Sequence, residues 1–193
     1  MATVSRKRKL PKILTRDEAK ALLDAPNLRY PTGLRNRCIL ELMYRAGLRV
    51  GEVCALKPRD VDLKKGVVRI HDGKGGDGTS YFDAETLVVL LDQWKAIRRA
   101  LPKSDYLFAT LQGGQMSPRY IQQMTGRMAK RAGITAVCTP HVLRHTFATE
   151  LLEEGFSIRE VQDAVRHADV STTQIYTHIL DEQLRTKIQS RRR

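Results

Sequence analysis

Six polar residues stand where the local structure of this chain is expected to begin or break: Arg49, Lys74, His141, Arg144, His167 and Tyr176. The densest grouping is Thr139-Pro140-His141-Val142-Leu143-Arg144-His145-Thr146. Thr139 suits an N-cap, and Pro140 then falls at the first helical position, where its missing N–H costs nothing. His141 and Arg144 follow at a spacing that puts them on one face of the new helix. A fixed guanidinium beside a titratable imidazole suits a phosphate. The guanidinium offers a planar fork to two oxygens, and the imidazole can donate a hydrogen bond or move a proton. Taken alone, the pair reads more readily as a core histidine beside a surface arginine, and the rest of the chain changes that balance.

The charge points the same way. Among 193 residues there are 34 Lys and Arg against 21 Asp and Glu, a formal charge of +13. Such an excess implies a polyanionic partner, most often nucleic acid, with a solvated basic surface as the alternative. Cys38, Cys54 and Cys138 lack CxxC spacing and read as reduced core residues of a cytosolic protein. No apolar run approaches the roughly 18 residues of a membrane span, and no signal peptide opens the chain. His145 stands four residues after His141, which is also metal-ligand spacing. With no HExxH glutamate and no third ligand nearby in sequence, it reads as a structural histidine, and no metal or cofactor is expected.

The elements that must hold these residues are legible in outline. A basic, apolar-poor arm with Arg6, Lys7, Arg8 and Lys9 fills residues 1–12 and is a DNA-binding candidate, with a solubilising tail as its alternative. Thr15 opens a capping pattern for a helix over Asp17 to Ala25. Leu34, Cys38, Ile39, Leu42 and Met43 repeat at helical spacing up to Gly47, a C′ glycine. Arg49 lies just past this stop, before a short helix over Gly51 to Leu56. Val67 to Ile70 and Thr79 to Phe82 predict a hairpin, with Gly73 to Gly78 as its turn and Lys74 at the tip. Leu87, Leu90, Leu91, Trp94 and Ile97 mark a long amphipathic helix, and Leu107-Phe108 a buried segment.

Ser117-Pro118 caps a further helix, closed by Gly133. The helix opened by Pro140 runs to Glu154 and stops at Gly155. Ser157 with Glu160, and Ser171 with Gln174, are capping boxes for the next two helices, the second carrying Tyr176. A last helix, about 181–189, has only Leu184 and Ile188 to bury. These elements predict an α+β domain over residues 13–193, mostly helical with a small antiparallel sheet.

In order and context the six residues resemble those of the tyrosine recombinase family, also called phage-type integrases. The likeness rests on Ala46-Gly47-Leu48-Arg49-Val50-Gly51-Glu52, on Gly73-Lys74-Gly75, on the stretch from Thr139 to Thr149, and on Arg166-His167-Ala168-Asp169 followed by Ser171 to His178. It covers nearly all of the chain after residue 12 and implies the catalytic-domain fold of the DNA breaking-rejoining enzymes. In two places the chain departs from the family pattern. Arg166 stands where members usually have glycine, and it is itself a candidate for a phosphate contact. Only the basic arm precedes the catalytic region, where most members carry a domain that grips the core site.

The resemblance implies a site-specific recombinase or integrase that cuts one DNA strand with the Tyr176 hydroxyl, forming a 3′-phosphotyrosine without metal or ATP. Arg49 and Arg144 would bracket the phosphate oxygens, and His167 would donate a further hydrogen bond. Lys74 would be the general acid for the leaving 5′ oxygen, and His141 the proton acceptor near Tyr176. The partner would be double-stranded DNA, gripped by a homo-tetramer assembled on it from a monomer in free solution. The setting would be the cytoplasm, at the nucleoid. Two other readings stay open here: a type IB topoisomerase, and a non-catalytic DNA-binding regulator whose residues 157–179 mimic a helix-turn-helix.

Overall fold

In the computed structural model, which describes residues 13–73, 76–82, 85–166 and 188–189, the chain is built around a helix that is buried nearly all round. Residues Arg16–Asp24 form α1 and Pro31–Arg45 form this central helix, α2. Its Cys38, Ile39, Leu42 and Met43 are fully enclosed, as the helical spacing predicts. Glu41 is enclosed with them, held between Arg37 at 2.8 Å and Arg45 at 2.6 Å on the turns before and after it. Without those guanidiniums a buried carboxylate would cost several kcal/mol.

The other α-helices among the described residues are α3 (Val50–Ala55), α4 (Glu85–Ala100), α5 (Pro118–Arg131), α6 (Pro140–Glu153) and α7 (Ile158–Ala164). Capping boxes at Thr15–Glu18 and Ser157–Glu160 start α1 and α7, and the hydroxyls of Ser117 and Thr139 cap α5 and α6. Both α4 and α6 pack on α2. Trp94 of α4 stacks on Phe108 and donates to the Leu107 carbonyl at 2.9 Å, so the short segment read as buried is indeed core. A second, small apolar cluster joins α7 to α6 through Ala148, Leu152, Val161 and Val165. That cluster brings the turn after α7 to the site.

Three antiparallel strands lie in the order β1 (Val61–Asp62), β2 (Val67–Gly73) and β3 (Gly76–Tyr81). The mostly helical fold with a small antiparallel sheet is as the sequence predicts, with two differences. β1 pairs Val61 with Val68 over only two residues, too short to show a period of two in sequence. The ladder between β2 and β3 also runs on through the glycine-rich stretch read as turn, because backbone hydrogen bonds need no apolar side chains.

Cys38, Cys54 and Cys138 are buried free thiols. No helix among the described residues is long and apolar enough to cross a membrane. The predicted helix with Tyr176 lies outside the described residues, as does the tail helix apart from Ile188 and Gln189.

Candidate active site

Three segments converge: the loop Gly47–Arg49 between α2 and α3, the first turns of α6, and the turn Val165–Arg166 after α7. Gly47 has φ +59°, and a Cβ there would stand 2.6 Å from the Phe147 ring on α6. Both the left-handed backbone and the close approach of α6 therefore require glycine. The predicted helix stop is thus also what lets α6 press onto the loop.

Arg144 is buried on α6, 5 % exposed. Its Nη1 donates to the carbonyl of Gly47 and its Nη2 to that of Val165. One guanidinium so bolts the loop after α2 to the turn after α7. Such bonds from a cation are roughly twice as strong as neutral ones.

Arg49 is the N-cap residue of α3, with its side chain 24 % exposed. Its backbone N–H donates to Glu52 Oε2 at 2.7 Å and its Nη1 to Glu52 Oε1 at 2.9 Å. Nη2 donates to the backbone carbonyl of Arg166 at 2.7 Å. The two arginines therefore hold adjacent carbonyls of the same turn. Neither partner could be read from spacing, because Val165 and Arg166 are far from both arginines in sequence.

Arg166 adopts φ 48°, the left-handed region. This explains why glycine is usual at this position in the family that the sequence resembles. A side chain there costs about 1–2 kcal/mol. The arginine turns back, and its Nη2 donates to Glu52 Oε2 at 2.6 Å. Its stem lies over Gly78 of β3, where a Cβ would sit 2.8 Å from Cδ. Burial draws its pKa below the ordinary arginine value, with Glu52 opposing that shift. The group remains a cation at any physiological pH.

Glu52 belongs to the same constellation, although its spacing in sequence does not single it out. Its side chain is 4 % exposed and it serves both Arg49 and Arg166. An acid three residues after Arg49 is the available signal, but i,i+3 charge pairs also occur on solvated helix faces.

His141 is exposed in the first turn of α6. His145 is half-buried; burial, then the charges of His141 and Arg144, lower its pKa below the usual 6.5. The hairpin that would present Lys74 is anchored at its base by Ser80, whose hydroxyl donates to the Ala46 carbonyl at 2.5 Å. Lys74, His167, Tyr176, Arg6, Lys7, Arg8 and Lys9 lie outside the described residues. Of the six candidates, Arg49 and Arg144 are brought together, with His141 on the same helix as Arg144.

Comparison with known proteins agrees with this architecture. Residues 12–183 match the phage integrase family. The chain is 44% identical over 190 residues to the tyrosine recombinase XerD of Ralstonia nicotianae, covering 96% of this chain and 62% of that protein. It is 35% identical over 189 residues to XerC of Bacillus subtilis, covering 95% and 62%. The XerA recombinase structure superposes with a TM-score of 0.79 at 37% identity, over 96% of this chain and 67% of that one. XerH, a site-specific recombinase solved in a post-cleavage complex with a palindromic difH substrate, gives 0.78 at 29% identity, over 93% and 53%. The chain spans about three-fifths of the length of the curated relatives it matches.

Proposed function

This chain belongs to the phage integrase family, and from that premise we propose that it is the catalytic part of a site-specific DNA recombinase. The observation that carries the reading is the pair of guanidiniums, Arg49 and Arg144, fixed on adjacent carbonyls of one turn immediately before His167. The in-line transition state of phosphoryl transfer concentrates negative charge on oxygens of a group that is already an anion. Two positioned guanidiniums meet that charge, each with a fork that matches two oxygens.

In this reading the Tyr176 hydroxyl attacks the phosphorus and yields its proton towards His141. Tyrosine has an ordinary pKa near 10, so it needs such an acceptor at neutral pH. The P–O bond to the 5′ oxygen breaks as the new bond forms, Lys74 protonates the leaving oxygen, and His167 donates a hydrogen bond to the phosphate. The product is a 3′-phosphotyrosine and a free 5′ hydroxyl. Attack by a 5′ hydroxyl of another strand reverses the step, so the bond energy is conserved and no ATP is consumed. The arginines supply the charge, and chelation with EDTA should leave cleavage intact.

Double-stranded DNA is the substrate, in the cytoplasm at the nucleoid. The arm over residues 1–12, with Arg6, Lys7, Arg8 and Lys9, adds phosphate contacts to the catalytic domain that follows it. Exchange between two duplexes calls for four copies on DNA, with the segment around 181–189 docking on a neighbour. Leu184 and Ile188 would supply only about 3–6 kcal/mol if fully buried, against the entropy of association, so the free protein is a monomer. A topoisomerase would relax DNA without a defined site, and a regulator would form no covalent adduct.

The test is Tyr176→Phe. It should abolish the SDS-resistant protein–DNA adduct and leave DNA binding nearly unchanged. An adduct that persists in the variant, mapped by peptide sequencing to another tyrosine, would sink the assignment.

A further inference from the structure

We propose that Arg166 is a positioning residue that neutralises Glu52, so that Arg49 meets the scissile phosphate as a net cation. The inference rests on the recombinase reading and concerns a side chain that the family usually lacks.

Glu52 is needed and harmful at once. Its carboxylate fixes Arg49 at two points, the backbone N–H at 2.7 Å and Nη1 at 2.9 Å. It is nearly sealed from water, at 4 % side-chain exposure, so little solvent screens it. An isolated Arg49–Glu52 pair carries no net charge, and an approaching phosphate would meet a carboxylate directly behind its guanidinium.

Arg166 changes that sum. With its Nη2 at 2.6 Å from Glu52 Oε2, the group becomes two guanidiniums and one carboxylate, a single net positive charge. The backbone bears a cost for this side chain. At φ 48° glycine would be free of strain, and an arginine is held there instead. The fold also makes room for it, because Gly78 of β3 leaves the space that the arginine stem crosses. Its Nη1 has no acceptor among the described residues, so direct contact with DNA is the rival role, and the experiment must separate the two.

A double-mutant cycle of Arg166→Gly and Glu52→Gln does so, read as the rate of adduct formation on a suicide duplex. Glycine suits the local backbone, and glutamine keeps the shape of Glu52 without its charge. Arg166→Gly should slow the wild type by about tenfold, within the range of coupling between contacting charges. In the Glu52→Gln background it should cost less than about twofold, because no charge remains to neutralise. Arg166→Lys should recover most of the loss. The thermal midpoint of Arg166→Gly should stay close to that of the wild type, whereas a purely structural role would lower it in step with the rate.

Equal slowing in both backgrounds would mean that Arg166 touches DNA and would overturn the proposal. No slowing at all would also overturn it. If the wild type forms no tyrosine adduct, the recombinase reading falls separately. The same cycle is then read in equilibrium binding to a duplex, where coupling supports the inference and additivity overturns it.

Discussion

Nη2 of Arg49 donates to the backbone carbonyl of Arg166 at 2.7 Å. Through that bond the start of α3 grips the turn that leads into His167, and Arg144 grips the carbonyl one residue earlier. The arginines proposed to hold the phosphate are thus also structural cross-links, which separates their removal from a simple loss of charge.

Arg144→Ala should therefore damage both rate and stability. It strips the donor from two carbonyls, those of Gly47 and Val165. Each buried group left unsatisfied costs about 1–3 kcal/mol, so unfolding in urea should show a loss of about 2–6 kcal/mol. Adduct formation should fall by about 10²-fold or more. Arg144→Lys keeps the charge but cannot span both carbonyls, and should restore neither in full. An unchanged unfolding free energy in the alanine variant would contradict the cross-link.

Gly47→Ala should be among the costliest small substitutions. It places a side chain at φ +59° and drives its Cβ to 2.6 Å from the Phe147 ring. The left-handed backbone costs about 1–2 kcal/mol and the overpacking about 1–3 kcal/mol. Adding Phe147→Ala removes the clash but not the backbone cost. Thermal melts of the four proteins should show that partial compensation on top of the cavity cost of Phe147→Ala alone, and strict additivity would show that ring and loop do not meet.

His145 sets a pH dependence with a definite sign. Burial lowers its folded-state pKa below the unfolded 6.5, so below that value the unfolded chain binds more protons. Stability is then fully present above pH 6.5 and declines as pH falls towards the folded value. The unfolding midpoint of the wild type should drop more steeply across this window than that of His145→Gln. Glu150, whose pKa burial raises from 4.5, contributes with the opposite sign above that value and is common to both proteins. Parallel curves would remove His145 as the cause.

Lys74→Ala should be impaired on an ordinary duplex and rescued when the bridging 5′ oxygen is replaced by sulfur, because a thiolate leaves without a proton. Equal impairment on both substrates would make Lys74 a DNA-positioning residue and not the acid.

The sequence by itself determined the element types, most of their ends and the order of the candidate residues. The capping boxes at Thr15 and Ser157, Pro140 opening α6 and Gly47 closing α2 are all governed by rules that act within a turn or two of backbone. The burial of α2 followed from its apolar period. Only the tertiary structure decided the partners: Arg144 with Gly47 and Val165, Arg49 with the carbonyl of Arg166, Arg166 with Glu52 and over Gly78. Those contacts join positions 21 to 117 residues apart, and no local preference selects among the many carbonyls and carboxylates that such a side chain could reach. What selects them is the packing of α6 on α2 and of α7 on α6, which brings two turns within reach of one guanidinium.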